Sequence, residues 1–370
     1  MGKIKFWLNN ARPVALPQSV MPAITAFFLA MGQEGFSWWI GVLAIVGGCL
    51  AHLGMNLADD YYDYKKKETG FRESLAREGI RARTTKCPYI VSGEATLQQT
   101  FRVVILYGIL ALIPGVIVFA MRGWPILLIV VIAVILGESY SGDPLRLSYR
   151  GFGELDIGAM FGPLLMMGVY YAACGHFSWE LLAPAISMGL LVTNVLYVHS
   201  VLDIEADQKA QKNTLAAVLK TDKNRMAALW LIIFVPYIIT AVMAVVTVIL
   251  PWVENTVDYA GENMVLSMVS AWNLLYLLVF ATLPWAIKLF SSMREFVKNP
   301  AGEVTFKGWY GPMKNWEHIV AGKLDWFMFR WYLARNLMTA FALIYVVVSV
   351  VLFVIDKIQG TMMYGVSFVF

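Results

Sequence analysis

The chain has 370 residues, of which 59% are hydrophobic and only 15% are charged, and its formal net charge is +4. A soluble domain usually carries about 25% charged residues. This composition excludes a disordered chain, a nucleic-acid-binding domain and an ordinary cytosolic enzyme, and it predicts a protein that crosses a membrane several times. The cysteines Cys49, Cys87 and Cys174 are scattered, and we interpret them as apolar packing residues.

Apolar stretches long enough to cross a bilayer recur along the whole sequence. Nine are predicted, at roughly 15–32, 37–58, 102–121, 124–139, 156–175, 180–200, 226–250, 265–290 and 332–356. The sequence therefore predicts an all-α polytopic membrane protein with nine transmembrane helices, built as a single domain over residues 1–370.

Lysine and arginine are unevenly distributed between the connecting segments. They concentrate in the N-terminal arm and in the segments that follow spans two, four, six and eight. In the segments that follow spans one, three, five and seven, Arg122 is the single basic residue and several acids are present. Because basic segments stay in the cytoplasm, the N-terminus is predicted inside and the C-terminus outside, in the cytoplasmic (inner) membrane. The long cytoplasmic segments include 59–101, 201–225 and an extra segment, 291–331.

Two clusters of acids stand at the cytoplasmic ends of spans two and six. Asn56, Asp60 and Asp63 share one helix face at i, i+4 and i+7, and Asp203 and Asp207 do the same at i and i+4. Lysines follow each cluster. The two copies lie four spans apart, which predicts two pseudo-repeated four-helix halves followed by a ninth helix.

The two clusters suggest a shared site for a metal and a diphosphate. Carboxylates that face one cavity repel each other, and Mg²⁺ relieves that repulsion when a substrate phosphate completes its ligands. Basic side chains beside them suit a diphosphate group. Two plainer interpretations stay open, namely solvated acids at helix ends and ordinary positive charge of cytoplasmic loops. The basic residues concerned are Lys65, Lys66, Lys67, Arg72, Lys209 and Lys212.

The two acidic segments resemble known motifs. Residues 56–65 resemble the first Asp-rich motif of the UbiA superfamily of intramembrane prenyltransferases, and residues 203–216 resemble the second. The segments 12–19, 140–155 and 161–164 resemble the menaquinone branch, the 1,4-dihydroxy-2-naphthoate polyprenyltransferases. The likeness spans residues 12 to about 290. The chain departs from the branch at His199, Ser200, Leu202, Cys87 and Gln211 and in its long 291–331 segment.

The resemblance implies a central cavity surrounded by the nine helices and capped by the loops 59–101 and 201–225. It implies two Mg²⁺ ions, held by Asp60, Asp63, Asp203 and Asp207 with Asn56 as a polar ligand or orienting group. Asp59 supports this site or faces solvent. The further candidates are Lys209, Lys212, Arg146, Lys67 and Arg72 for the diphosphate, Tyr140 and Ser141 for the donor head group and developing cation, and His199 for the acceptor.

The implied function is Mg²⁺-dependent transfer of a polyprenyl group from an isoprenyl diphosphate to an aromatic acceptor. The leading acceptor is 1,4-dihydroxy-2-naphthoate, which would lose its carboxylate. The alternatives are 4-hydroxybenzoate, a homogentisate-like ring, a glycerol-phosphate lipid, or cyclisation of the donor by a UbiA-type terpene cyclase. A non-catalytic lipid-binding relative is a further alternative. An ion-coupled transporter is disfavoured because transporter acids lie near the bilayer midplane. The sequence indicates no nucleic acid partner and leaves the oligomeric state open.

Overall fold

A computed structural model describes residues 2–66, 87–209, 211–255, 272–300, 302, 304 and 308–364. This part of the chain is almost entirely helical, because backbone groups inside a bilayer must form their hydrogen bonds within the protein. Eight of the described helices are long and apolar enough to cross a membrane, and a ninth apolar helix, Pro17–Ala30, is shorter. The predicted all-α membrane fold is confirmed.

The nine apolar helices are numbered in chain order. They are α1 (Pro17–Ala30), α2 (Trp38–Lys66), α3 (Leu97–Arg122), α4 (Trp124–Ser141), α5 (Gly153–Cys174), α6 (Trp179–Leu202), α7 (Asp222–Asn255), α8 (Trp272–Lys298) and α9 (Asp325–Tyr364). Short helices lie outside them at Lys3–Asn10, Pro88–Val91, Ile204–Lys209, Leu215–Val218 and Trp316–Ala321. Single 3-10 turns occur at Pro13–Ala15 and Leu147–Tyr149.

Several helices extend past the predicted spans at the end where the acids lie. Helix α2 continues to Lys66, so the whole first acidic cluster is helical. Helix α8 continues to Lys298 and α9 begins at Asp325, so helical residues occupy both ends of the segment 291–331. We call the end of the bundle that carries Asp60, Asp63, Asp203 and Asp207 the acidic end.

Helix packing follows the predicted repeat. The α2–α3 and α6–α7 pairs pack most extensively, and they occupy corresponding positions in the two halves. Helices α5 and α6 approach each other through glycines, since a Cβ atom on Gly162 would lie 2.4 Å from the Cα atom of Gly189. Small residues let membrane helices approach closely. This contact fixes α5 against α6 at the point where α5 passes through a π-helical turn, Met160–Leu164.

Arg122, the single basic residue in the segments that follow spans one, three, five and seven, has a structural role. Its side chain donates hydrogen bonds to the carbonyl oxygens of Ala172 at 2.8 Å, Ala173 at 2.7 Å and Gly35 at 3.0 Å. The last carbonyls of a helix have no partner within the helix, and a cation nearby satisfies them. Arg122 therefore caps the end of α5, opposite the acidic end.

Candidate active site

A cavity of about 640 Å³ runs through the bundle from the acidic end. At that end its walls include Asp59, Asp207 and Lys212, and farther along α2 they include Leu43. The sixteen residues from Leu43 to Asp59 correspond to about 24 Å of helix, at about 1.5 Å per residue. Beyond the acidic end the walls formed by α2, α3, α4 and α5 are mostly apolar, so one space joins a polar end to a long apolar channel.

The first acidic cluster is held by the N-terminal arm. Asp60 is buried, its Oδ1 lies 3.3 Å from an Arg12 guanidinium nitrogen, and its Oδ2 accepts a hydrogen bond from the Tyr89 hydroxyl at 3.3 Å. Arg12 also donates to Asp59 Oδ2 at 3.2 Å. Burial opposes the charge of Arg12, but Asp60 and Asp59 together raise its pKa above the ordinary value. Arg12 therefore stays cationic between two carboxylates.

Asp63 is linked to the second motif through Tyr149. The Tyr149 hydroxyl donates to Asp63 Oδ1 at 2.5 Å, while the Arg146 guanidinium lies 4.5 Å and the Lys212 ammonium 5.5 Å from the centre of the Tyr149 ring. Burial raises the pKa of Tyr149, and the charge of Lys212 opposes that rise only in part. The phenol therefore remains a neutral donor between an acid and two cations.

The second acidic cluster closes the other side of the acidic end. Asp203 is fully buried, and its Oδ2 lies 3.2 Å from His199 Nε2. Asp207 is buried and lines the cavity. Burial would lower the pKa of Lys212, but the neighbouring Tyr140, Asp207 and Asp59 raise it above its ordinary value. Lys212 is therefore a fixed positive charge on the cavity wall.

Two further candidates make specific contacts with the first cluster. The amide nitrogen of Asn56 donates to the carbonyl of Ala11 at 2.9 Å, which ties α2 to the N-terminal arm. The hydroxyl of Ser141 donates to Asp59 Oδ1 at 2.8 Å and connects the end of α4 to α2. Both residues therefore help to fix the position of α2 at the acidic end.

The structure brings most of the sequence-predicted residues together. The predicted residues that line the cavity are Asn56, Tyr140, His199, Asp207 and Lys212. Buried beside them are Asp60, Asp63, Ser141 and Asp203, and Arg146 stacks on Tyr149 nearby. The side chain of Lys209 is exposed. Lys67 and Arg72 lie outside the described residues, so these two assignments stay predictions.

Sequence reasoning did not assign several residues that the structure places at the site. They are Arg12, Tyr89, Tyr149, Glu154, Thr214 and Trp331. Arg12 and Tyr149 stand inside segments already singled out by resemblance, and that position was the available signal. Trp331 lies on α9, at the last position of the extra segment, and no local pattern distinguishes it from a packing residue.

The donor chemistry of the site fits Mg²⁺. Four buried carboxylates lie at the acidic end, and oxygen ligands are those that Mg²⁺ prefers. Across the described ranges, no three His, Cys, Asp or Glu side chains converge into a ready-made metal cage. Mg²⁺ commonly binds through one or two carboxylates together with substrate phosphates, so that finding agrees with the donor set.

A membrane-embedded cavity with carboxylates and fixed cations at one end and an apolar channel behind them defines an intramembrane enzyme for an amphiphilic anionic substrate. The model of the UbiA prenyltransferase family matches residues 19–294, three quarters of the sequence. The chain belongs to the UbiA prenyltransferase family and is an integral-membrane prenyltransferase.

Several curated relatives come from bacteria. The chain is 30% identical to a 1,4-dihydroxy-2-naphthoate octaprenyltransferase of Haemophilus influenzae over 232 residues, covering 60% of this chain and 72% of that protein. It is 26% identical to a 2-carboxy-1,4-naphthoquinone phytyltransferase of Synechocystis over 299 residues, covering 80% of this chain and 85% of that protein.

Solved structures share the fold. A structure of digeranylgeranylglyceryl phosphate synthase superimposes with a TM-score of 0.55 at 16% identity, covering 95% of this chain and 99% of that one. A UbiA homologue from Archaeoglobus fulgidus bound to GPP and Mg²⁺ gives a TM-score of 0.53 at 13% identity, covering 92% of this chain and 99% of that one. The helical arrangement is thus that of known UbiA structures.

Proposed function

We propose that the chain transfers a polyprenyl group from an isoprenyl diphosphate to 1,4-dihydroxy-2-naphthoate, with loss of the acceptor carboxylate. One observation carries the proposal: Asp207 and Lys212 of the second motif and Asn56 and Asp59 of the first line the same cavity, which continues as an apolar channel. The polar end suits a diphosphate and the channel suits its prenyl tail. The names of the bacterial relatives support the naphthoate as acceptor.

The residues of the chain have distinct parts in this reaction. Asp60, Asp63, Asp203 and Asp207 would hold two Mg²⁺ ions, which supply positive charge to the diphosphate. Lys212 adds a fixed cation on the cavity wall, and Arg146 is held beside it by Tyr149. The allylic C–O bond breaks, and its electron pair leaves with the diphosphate. Cationic groups placed where negative charge develops lower the barrier to this step.

The remaining steps need an enclosed apolar space. The allyl fragment becomes cationic, and the face and hydroxyl of Tyr140 on the cavity wall stabilise it. Apolar walls from α2 to α5 keep water from the cation. An electron-rich carbon of the acceptor ring supplies the electron pair of the new C–C bond, and that carbon then loses carbon dioxide.

We also propose an orientation of the protein in the membrane. The acidic end would face the cytoplasm, with the N-terminus inside and the C-terminus outside, because the basic segments lie at that end. The loops 59–101 and 201–225 would cap the site, and the segment 291–331 would be an addition to one domain. A cysteine-accessibility map of single-cysteine variants placed in exposed loops tests this orientation.

A product assay tests the chemistry. Purified protein in nanodiscs receives Mg²⁺, geranylgeranyl diphosphate and a panel of acceptors, and mass spectrometry identifies the products. A prenylated, decarboxylated naphthoquinol is the expected product. Prenylation of another acceptor would overturn the naphthoate assignment, and a cyclised hydrocarbon would indicate a cyclase. Turnover that EDTA leaves unchanged would overturn the metal assignment.

A further inference from the structure

The buried carboxylate of Glu154 accepts hydrogen bonds from α6 and from the first residue of a neighbouring short helix. Its Oε1 accepts a hydrogen bond from the Ser200 hydroxyl at 2.5 Å, and both of its oxygens lie 3.2 Å from the backbone nitrogen of Leu215. Leu215 is the first residue of the helix Leu215–Val218. Glu154 therefore joins α5, α6 and the loop after α6 at one point.

Thr214 precedes that helix in the place where a threonine side chain usually caps. Its side chain makes no capping hydrogen bond, and the backbone nitrogen of Leu215 donates to Glu154. Thr214 is only 4% exposed and lines the cavity, and its hydroxyl has no hydrogen-bond partner within the described residues. A buried hydroxyl without a partner is costly, so a ligand that supplies one gains affinity.

The surroundings of Thr214 select the kind of ligand. The Glu154 carboxylate lines the cavity beside it, and a negative charge at that place would repel a diphosphate. A ring hydroxyl is uncharged and meets no such repulsion, and the carboxylate of the naphthoate would point away from Glu154. The cavity wall also carries Trp331, His199 and Leu196, which present aromatic and apolar surface. The chemistry of this wall therefore fits a neutral hydroxyl on an aromatic ring.

The position of Thr214 also suits the reaction. Lys212 follows the short helix that carries Asp207, both residues line the same cavity, and the backbone nitrogen of Lys212 donates to the carbonyl of Asp207 at 2.8 Å. A ring beside Thr214 therefore lies next to the polar end, where the allylic carbon is released. Holding two reactants in one fixed arrangement is itself a large part of catalysis.

We propose that the Thr214 hydroxyl is the hydrogen-bond partner of a ring hydroxyl of the aromatic acceptor, in an acceptor subsite formed with Trp331, His199 and Leu196. The inference rests on the proposed function and names where its second substrate binds. Thr214 is a binding residue for the acceptor and takes no part in holding the diphosphate.

The test compares three variants of the full chain in nanodiscs. Thr214→Val removes only the hydroxyl, and Thr214→Ser keeps it. Thr193→Val is the matched control, because Thr193 is a buried threonine whose hydroxyl bonds to the carbonyls of Gly189 and Glu154 and which is not among the cavity-lining residues. Steady-state rates with geranylgeranyl diphosphate and 1,4-dihydroxy-2-naphthoate give a KM for each substrate, and calorimetric titration of the naphthoate without donor gives its affinity directly.

We expect Thr214→Val to raise the KM and the Kd of the naphthoate about tenfold, as loss of one hydrogen bond in a closed site does. The KM of the donor stays within about twofold, and Thr214→Ser and Thr193→Val behave like the wild type. A rise in the donor KM, an unchanged naphthoate affinity, or equal losses in Thr214→Val and Thr193→Val would each overturn the inference while wild-type turnover stands. Absence of wild-type turnover would overturn the proposed function and this inference together.

Discussion

The hydroxyl of Tyr149 donates to Asp63 at 2.5 Å, and Tyr149 thereby connects the first acidic cluster to Lys212 of the second motif and to Arg146. Lys212 and Arg146 both lie against the Tyr149 ring, at 5.5 and 4.5 Å from its centre. One side chain therefore orients a candidate metal ligand through its oxygen and two candidate diphosphate ligands through its ring. The function of the hydroxyl and the function of the ring can be tested separately by substitution.

Replacing Tyr149 by phenylalanine keeps the ring and removes the hydroxyl. We expect the Mg²⁺ concentration for half-maximal rate to rise about tenfold or more, which is the usual effect of losing a group that orients a metal ligand. The donor KM should change little, since the surface that positions Arg146 and Lys212 remains. Tyr149→Leu should raise the donor KM as well. Titrations of rate against Mg²⁺ and donor measure both effects, and identical behaviour of the two variants would contradict this separation.

Removing one carboxylate from either cluster should abolish prenyl transfer. Asp60→Asn and Asp207→Asn keep side-chain size and lose the negative charge of two buried cavity-end acids. We expect a loss of at least about 100-fold in kcat/KM, because neither cluster alone would hold the metal. The control is Glu205→Gln, an exposed acid of the same segment, which should keep wild-type activity. Full activity in either aspartate variant, with normal thermal stability, would contradict the metal assignment.

Glu154→Ala should destabilise the folded protein. The change leaves the Leu215 backbone nitrogen without its acceptor and removes the shorter of the two hydrogen bonds of the buried Ser200 hydroxyl, which keeps the Leu196 carbonyl at 3.2 Å. A buried polar group that loses its partner costs about 2 kcal/mol, so we expect the thermal unfolding midpoint in detergent to fall measurably. Ser200→Ala removes the donor and leaves the carboxylate its backbone partner, so it should cost less. An equal or larger loss for Ser200→Ala would contradict this account of the Glu154 contacts.

The close approach of α5 and α6 depends on glycine at position 162. A Cβ atom there would lie 2.4 Å from the Gly189 Cα atom and 2.6 Å from the Ala185 carbonyl oxygen, and a backbone cannot yield as a flexible side chain can. We expect Gly162→Ala to cost about 2 kcal/mol or more through overpacking. Gly115→Ala is the matched control, because nothing lies within 4 Å of its added Cβ atom. Thermal unfolding of both variants tests this expectation, and equal midpoints would contradict the tight contact between α5 and α6.

The sequence predicts the helices of this protein well, because hydropathy and helix length are local properties. The predicted span 102–121 corresponds to Leu97–Arg122, and the predicted span 124–139 corresponds to Trp124–Ser141. The acidic clusters are also local, since Asp60 and Asp63 lie within one helical turn of each other. Periodicity and span length therefore suffice for this part of the fold.

Contacts between distant segments are not predictable in this way. Tyr149 and Asp63 are 86 residues apart, and their contact depends on how α2 and the loop after α4 are placed. The bond between Glu154 and the Leu215 backbone depends on three elements at once. Arg12 reaches Asp59 from a left-handed backbone position with φ of 56°, which its sequence does not indicate. Each of these residues has an ordinary appearance until the tertiary structure is known.

Helix α1 has 14 residues and is about 21 Å long, whereas the hydrocarbon core of a bilayer is about 30 Å thick. A bilayer thins around a short span or lets polar groups sink towards it, at a modest cost for each ångström of mismatch. We therefore expect lipid headgroups to lie deeper in the bilayer beside the arm before α1, near the acidic end. A diphosphate on a membrane-anchored tail would then travel a shorter vertical distance to reach its carboxylates, so membrane thickness becomes a property that tunes the enzyme.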